Sequence, residues 1–307
     1  MGTTISGHNV VKRELKIILS RHMTLHKEVL KLMNQCTDVL YHYTSIETLA
    51  LILSNQTIRL NSLDQMDDLQ EKEASDIKNI GQFCYISSWT DDETESIPMW
   101  KMYSSLDSGV RIKLKTNPFK LFENTPESIK EVSVLPVTDE SNGVYLKSII
   151  PIADMMKKGY ICPAAMSDNI LHKVEYTSDP SKLYPRLVTY EGDKFSIFLG
   201  ALGIHKNIHW EFQHEWRYIL QFYPVNINQN PNVLPISVQV MANKILHGLE
   251  KQPFPFYDLQ LDDVAFSKME ITLSPKISAG YRLIVNSLIE KYNPSALIHD
   301  SSLLGLI

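Results

Sequence analysis

Residues 214–222, HEWRYILQF, alternate without a break, with His214, Trp216, Tyr218, Leu220 and Phe222 on one face and Glu215, Arg217, Ile219 and Gln221 on the other. Successive strand side chains point to opposite faces, so this run predicts a β-strand that carries a carboxylate and a guanidinium two positions apart on one face. Other short strands lie beside short helices. Val39 to Tyr43 is β-rich, Thr44 and Glu47 have capping-box spacing, and Ile46, Leu49, Ile52 and Leu53 follow at helical intervals. FCYISSW (83–89) leads through a polar turn to PMWKMYSSL, a helix opened by Pro98, and then to the strand GVRIKL (109–114). MEITLSP and AGYRLIVNSLIEKY add a strand and a helix near the end. The interleaving predicts an α+β fold.

Residues 10–35 lack Gly and Pro and set Leu15, Ile18, Leu19, Met23, Val29, Leu30 and Met33 opposite a basic face, which predicts a long amphipathic helix. The expected organisation is a helical extension over 1–38 and a single α+β domain over 39–300. Within that domain, 117–200 reads as an irregular insertion, with Pro118, Pro126, Pro136 and Pro151 in its first half, and is expected to supply walls rather than chemistry.

With 30 Lys+Arg against 35 Asp+Glu, a net charge of -5, the 307-residue chain has no global field to hold a polyanion. A nucleic-acid-processing role would need the basic face of 10–35 to converge with Arg111, Lys113 and Lys115. Cys36, Cys84 and Cys162 have no C-x-x-C spacing, so neither a disulfide framework nor a zinc finger is expected, and a reducing, cytoplasmic setting fits. No apolar run reaches the roughly 18–20 residues that span a bilayer, so no membrane partner is expected.

There is no G-x-G-x-x-G, Walker A, G-x-S-x-G or H-E-x-x-H. His205 and His209 would share a helix face, but neither Glu211 nor Glu215 completes a ligand spacing with them and His214, so no metal site is assigned. Asp67, Asp68 and Glu71 could meet a cation, yet a polar turn before a helix explains them more cheaply. Trp100, Trp210 and Trp216 read as core.

The segments YHYTS (41–45), RLNSLDQMDDLQE (59–71), CYISSWTDD (84–92), MWKMY (99–103) with GVRIKL, HKNIHWEFQHEWRYI (205–219) and ITLSPKI (271–277) form an ordered series. The series resembles a widespread, largely bacterial family of unknown function, with a Y-x-x-T start, an N-S-P-x-x-F-N-D-P-x-E segment, M-W-x-x-Y and a late E-x-R. Here Leu63 and Met66 stand where proline and phenylalanine are common, and Asp67-Asp68-Leu69 replaces Asn-Asp-Pro, while Asp68 and Glu71 keep their places. That family in turn is similar to the ADP-ribosyltransferase superfamily.

The second resemblance implies a mixed, split β-sheet core with flanking helices, and an enzyme that cleaves NAD between nicotinamide and ribose. Expelling nicotinamide leaves an oxocarbenium-like ribose that needs a nearby carboxylate, a role the resemblance gives to Glu215. His42 and Thr44 would position NAD, Ser87, Ser88, Trp89 and Tyr103 would hold and stack on the nicotinamide, and Arg59 or Arg217 would meet the pyrophosphate. Against these roles stand a satisfied buried histidine at 42 and a plain surface ion pair between Glu215 and Arg217, worth about 0–1 kcal/mol. The expected activity is ADP-ribosyl transfer to an unknown protein or nucleic acid, or NAD hydrolysis, in a toxin or defence effector. The alternative is a binding module for a nucleotide or partner that does not turn it over.

Overall fold

The computed structural model describes residues 37–124, 146–166, 170–192, 194–225 and 234–307. The amphipathic run at 10–35 and Pro126 and Pro136 of the expected insertion lie outside them.

At the centre is β3 (Cys84–Thr90), which needs hydrogen-bonded neighbours on both edges. One edge carries β12 (Glu215–Gln221), antiparallel and in register along its whole length, from Glu215 opposite Thr90 to Gln221 opposite Cys84. The other edge is shared. β2 (Thr57–Ser62) takes the early part, with Asn61 opposite Ile86 and Ser62 opposite Tyr85, and β1 (Val39–Ser45) takes the end, with Tyr41 opposite Thr90. The sheet therefore forks along β3. From β2 one branch continues to β13 (Phe256–Gln260), and from β1 the other continues through β4 (Gly109–Lys115) and β14 (Glu270–Leu273) to β15 (Leu297–His299). The pairings are antiparallel except β14 with β15, so the core is a mixed-orientation sheet with helices against it.

The helices follow their sequence signals with small shifts. α1 (Ile46–Asn55) buries Ile46, Leu49, Ile52 and Leu53, but its cap is Ser45, whose hydroxyl accepts from the Thr48 N–H at 3.2 Å, one residue beyond the Thr44 position of the expected box. α2 (Ile97–Tyr103) starts behind the cap Ser96 with Pro98 in its first turn, and Trp100 is fully buried. The Trp100 indole N–H donates at 2.9 Å to Glu95, whose carboxylate also takes the Ser301 hydroxyl and the Ser302 N–H, both at 2.6 Å. α7 (Ala279–Tyr292), capped by Ser278, packs on α1.

Three expectations change. The stretch 117–200 is not only wall, because β7 (Leu171–Lys173) joins the main sheet beside β12. His205 and His209 do not share a helix face: His205 begins β11 (His205–Asn207), paired in parallel with β8 (Glu175–Thr177), and a 3-10 turn follows over Ile208–Gln213. Arg111 and Lys113 do not offer a basic surface. Arg111 is buried, stacked 3.8 Å over the Tyr41 ring and bonded to the Asp92 and Glu93 carbonyls, and Lys113 pairs with Glu270 at 2.9 Å.

Because β3 and β12 are interior strands, six of the seven residues in each are buried, on both faces. At the Cys84 end Tyr85, Phe222, Phe254, Tyr160 and Tyr257 pack around 5 Å apart, Phe222 edge to face with Tyr85, Tyr160 and Phe254, an arrangement aromatic quadrupoles favour, and tilted against Tyr257. No helix among the described residues is long and apolar enough to cross a membrane.

Gly203 joins the apolar core to Arg217: its φ is +76°, an added Cβ would sit 3.4–3.5 Å from Ile219, Cys84 and Ile86, and its carbonyl accepts from Arg217 at 3.0 Å. A side chain in that left-handed conformation costs about 1–2 kcal/mol. Gly203→Ala is expected to lower the unfolding free energy measured in urea by at least that amount, whereas Gly159→Ala, at φ +74° in open space, would show the backbone cost without the loss around Arg217.

Candidate functional site

Glu215 and Arg217 sit where the alternation puts them, on one face of β12, but they are not a surface pair: their side chains are 4% and 1% exposed. The Arg217 fork donates from Nε to Glu215 Oε1 at 2.7 Å and from Nη2 to Glu215 Oε2 at 3.0 Å. Nη2 also reaches Glu71 Oε1 at 2.8 Å. A second buried cation, Lys206 of β11, donates to Glu215 Oε2 at 3.0 Å and to Gln213 Oε1 at 2.9 Å, and lies 3.4 Å from Glu71. Two carboxylates and two cations thus close a buried, neutral network drawn from three separate stretches of chain.

Burial opposes the charge on Glu215, but Arg217 and Lys206 outweigh it and hold the carboxyl well below the ordinary range. For Arg217 burial is likewise outweighed, by Glu215 and Glu71, which keep the guanidinium charged. Removing one member of such a network strands the others without water, at a cost of about 3–5 kcal/mol.

The network floors a cavity of about 100 Å³ in the fork of the sheet. Its walls come from the motif segments: Tyr41, His42 and Tyr43 of β1, Met66, Asp67, Asp68 and Glu71 of the loop after β2, Ser88 and Trp89 of β3, Met99 and Tyr103 of α2, and Lys206, Gln213, Glu215 and Arg217. Asp67, Asp68, Glu71 and Glu215 against Lys206 and Arg217 leave the lining with two carboxylates in excess. A cavity of roughly 150 Å³ holds benzene and drug-sized sites run to about 300–1,000 Å³, so this one encloses less than a whole ring and takes a small head group or one edge of a ring.

His42 lies in the gap of the fork. Its Nδ1 meets the Ser88 carbonyl at 2.8 Å, and since a carbonyl only accepts, Nδ1 carries the proton and Nε2 is left as an acceptor. Burial, partly offset by that bond, lowers its pKa, so the ring is neutral at pH 7 and rests 5.0 Å from the Trp89 ring. The Tyr103 hydroxyl accepts from Gln213 Nε2, and burial with the Glu215 and Asp67 charges raises its pKa, keeping it protonated. Two carboxylate oxygens of the lining, Asp68 Oδ2 and Glu71 Oε2, are buried without a hydrogen-bond partner. Each costs about 1–3 kcal/mol until a donor meets it.

Of the residues expected from sequence, Glu215, Arg217, His42, Ser88, Trp89 and Tyr103 line this one cavity. Thr44, Ser87 and Arg59 are not in the lining. Thr44 is buried, Ser87 accepts from the Trp89 indole at 3.0 Å, and Arg59 pairs with Asp258 at 2.8 Å while lying 3.4 Å over the Phe256 ring. Arg217, committed to two carboxylates and a carbonyl, has no free fork for a phosphate. Glu71, Lys206 and Gln213 are the additions: all three stand in the motif segments, but buried lysine and glutamate are rare enough that sequence favours a solvent-facing reading. No family model matches the chain, and no curated protein or solved structure is significantly similar to it.

The depressed Glu215 pKa means that its stabilisation is full above about pH 4.5, its ordinary value, and is lost as pH falls through the lowered folded value. Glu215→Gln is expected to cost about 3–5 kcal/mol at pH 7, with the gap to wild type narrowing below pH 4.5 in urea melts. A gap that is constant from pH 7 to pH 3 would mean that Glu215 is not ionised in the fold.

Proposed function

We propose that the chain binds NAD with the nicotinamide end in this cavity, and transfers its ADP-ribose to a macromolecular acceptor or to water, on an ADP-ribosyltransferase-like frame. The observation that carries the reading is the cavity itself: small, walled by Trp89 and His42, net negative, and formed where the separate motif segments meet. The nicotinamide of NAD is a flat pyridinium cation, and an aromatic face with surplus carboxylates favours such a group. The same field disfavours a pyrophosphate, so in this reading the rest of the dinucleotide lies outside the cavity. The forked, mixed-orientation sheet also suits the split core that the resemblance implies.

In the chemical step the bond from the pyridinium nitrogen to the ribose anomeric carbon breaks, its electron pair neutralises the ring, and the positive charge passes to the sugar. Preorganised carboxylates stabilise that charge without having to reorient. Glu215 would take part as a member of the neutral network, and Asp67 and Asp68 would supply the excess negative charge. His42 would offer Nε2 to a ligand hydroxyl or N–H. An activity of this kind on a cellular target fits a toxin or defence effector, by fold analogy.

A second reading, binding without turnover, is favoured by one observation: both Glu215 oxygens are already engaged by Arg217 and Lys206. Nicotinamide release from NAD separates the two, measured with and without cell extract, beside calorimetric NAD binding and a melt to confirm folding. Turnover by the wild type and its loss by about 100-fold or more in Glu215→Gln, at an affinity within about tenfold, is the expected result. Binding with no release under either condition would establish a module that binds NAD without turnover, and absence of NAD binding would overturn the enzyme and point to a module for another nucleotide or a partner.

A further inference from the structure

The direction of each hydrogen bond from Lys206 to Tyr103 follows from chemistry. The Lys206 ammonium can only donate, so the Gln213 atom 2.9 Å from it is the carbonyl oxygen Oε1. Gln213 Nε2 then points the other way and donates to the Tyr103 oxygen. A phenol has one proton, and with its oxygen accepting from Gln213 that proton points elsewhere; it finds no acceptor among the described residues, and Tyr103 lines the cavity. On the acidic side of the same cavity Asp67, Asp68, Glu71 and Glu215 face it with only Lys206 and Arg217 in compensation.

We propose that Tyr103 is a hydrogen-bond donor that selects ligands by a carboxamide, with Gln213 as the positioning residue that turns its proton into the cavity. A primary carboxamide has a neutral carbonyl for Tyr103, whereas a carboxylate would bring like charge to a lining that already has two carboxylates in excess. This replaces stacking as the role of Tyr103 and rests on the NAD reading only for the identity of the ring that bears the amide.

The test compares two cationic probes, 1-methylnicotinamide and N-methylpyridinium, which share ring and charge and differ by the carboxamide. Calorimetry on the wild type is expected to show a preference of roughly tenfold or more for the carboxamide, the size of one hydrogen bond. Tyr103→Phe is expected to abolish that ratio and leave N-methylpyridinium binding unchanged. Gln213→Glu, which keeps a partner for Lys206 but takes the Tyr103 proton for its own carboxylate, is expected to strengthen both cations and abolish the ratio as well. Equal binding of the two probes by the wild type, no binding of either, or a ratio that survives in Tyr103→Phe would overturn the proposal. A preference that Tyr103→Phe abolishes, in a protein that does not bind NAD, would overturn the NAD reading and leave this one standing.

Discussion

A guanidinium with 1% exposure cannot exist in a protein without fixed counter-charges, and Arg217 imposes that demand on the whole domain. It needs Glu215 two residues away on its own strand, Glu71 from the loop after β2, and the Gly203 carbonyl from a residue in a conformation that side chains avoid. Glu71 and Glu215 carry more negative charge than Arg217 can compensate, and Lys206 restores the balance from β11. Loop, strand and turn are thus located by charge as much as by apolar burial, and the order of the sheet around β12 places these segments within reach.

The fork in the sheet explains why a cavity forms above that network. Where β2 has left the edge of β3 and β1 has only begun to pair with it, the Ser88 carbonyl takes the imidazole of His42 as its donor. A side chain substitutes for a strand, and a space bounded by His42, Trp89 and Tyr103 opens. At the other end of β3 the ring cluster around Phe222 packs without such a gap. One strand therefore runs from a rigid aromatic end to a polar, ligand-sized end.

Much of this was legible in the sequence where local periodicity governs. The alternation of 214–222 identified β12 and put Glu215 and Arg217 on one face, and the apolar spacing after Ser45 identified α1. Periodicity does not say which strand is interior, so the same alternation is compatible with a surface ion pair, and only the neighbours β3 and β7 make the pair buried. Lys206 and Gln213 carry no local signal, since a lysine in HKNIH and a glutamine in EFQHE are ordinary surface residues until the chain turns them inward. Arg59 failed for a related reason: its partner Asp258 lies 199 positions away, across a pairing that no spacing announces. The left-handed residue His214, φ 46°, ends the 3-10 turn just before β12, at a position where sequence suggested only a change of element.

Glu95 gathers Trp100, Ser301 and Ser302 on one carboxylate, joining the helix that carries Met99 and Tyr103 to residues 206 and 207 positions further along the chain. The segment after β15 is thereby clasped to the start of α2: the Trp100 indole, the Ser301 hydroxyl and the Ser302 N–H share one carboxylate, so a single side chain fastens the far end of the described chain to the helix that walls the cavity.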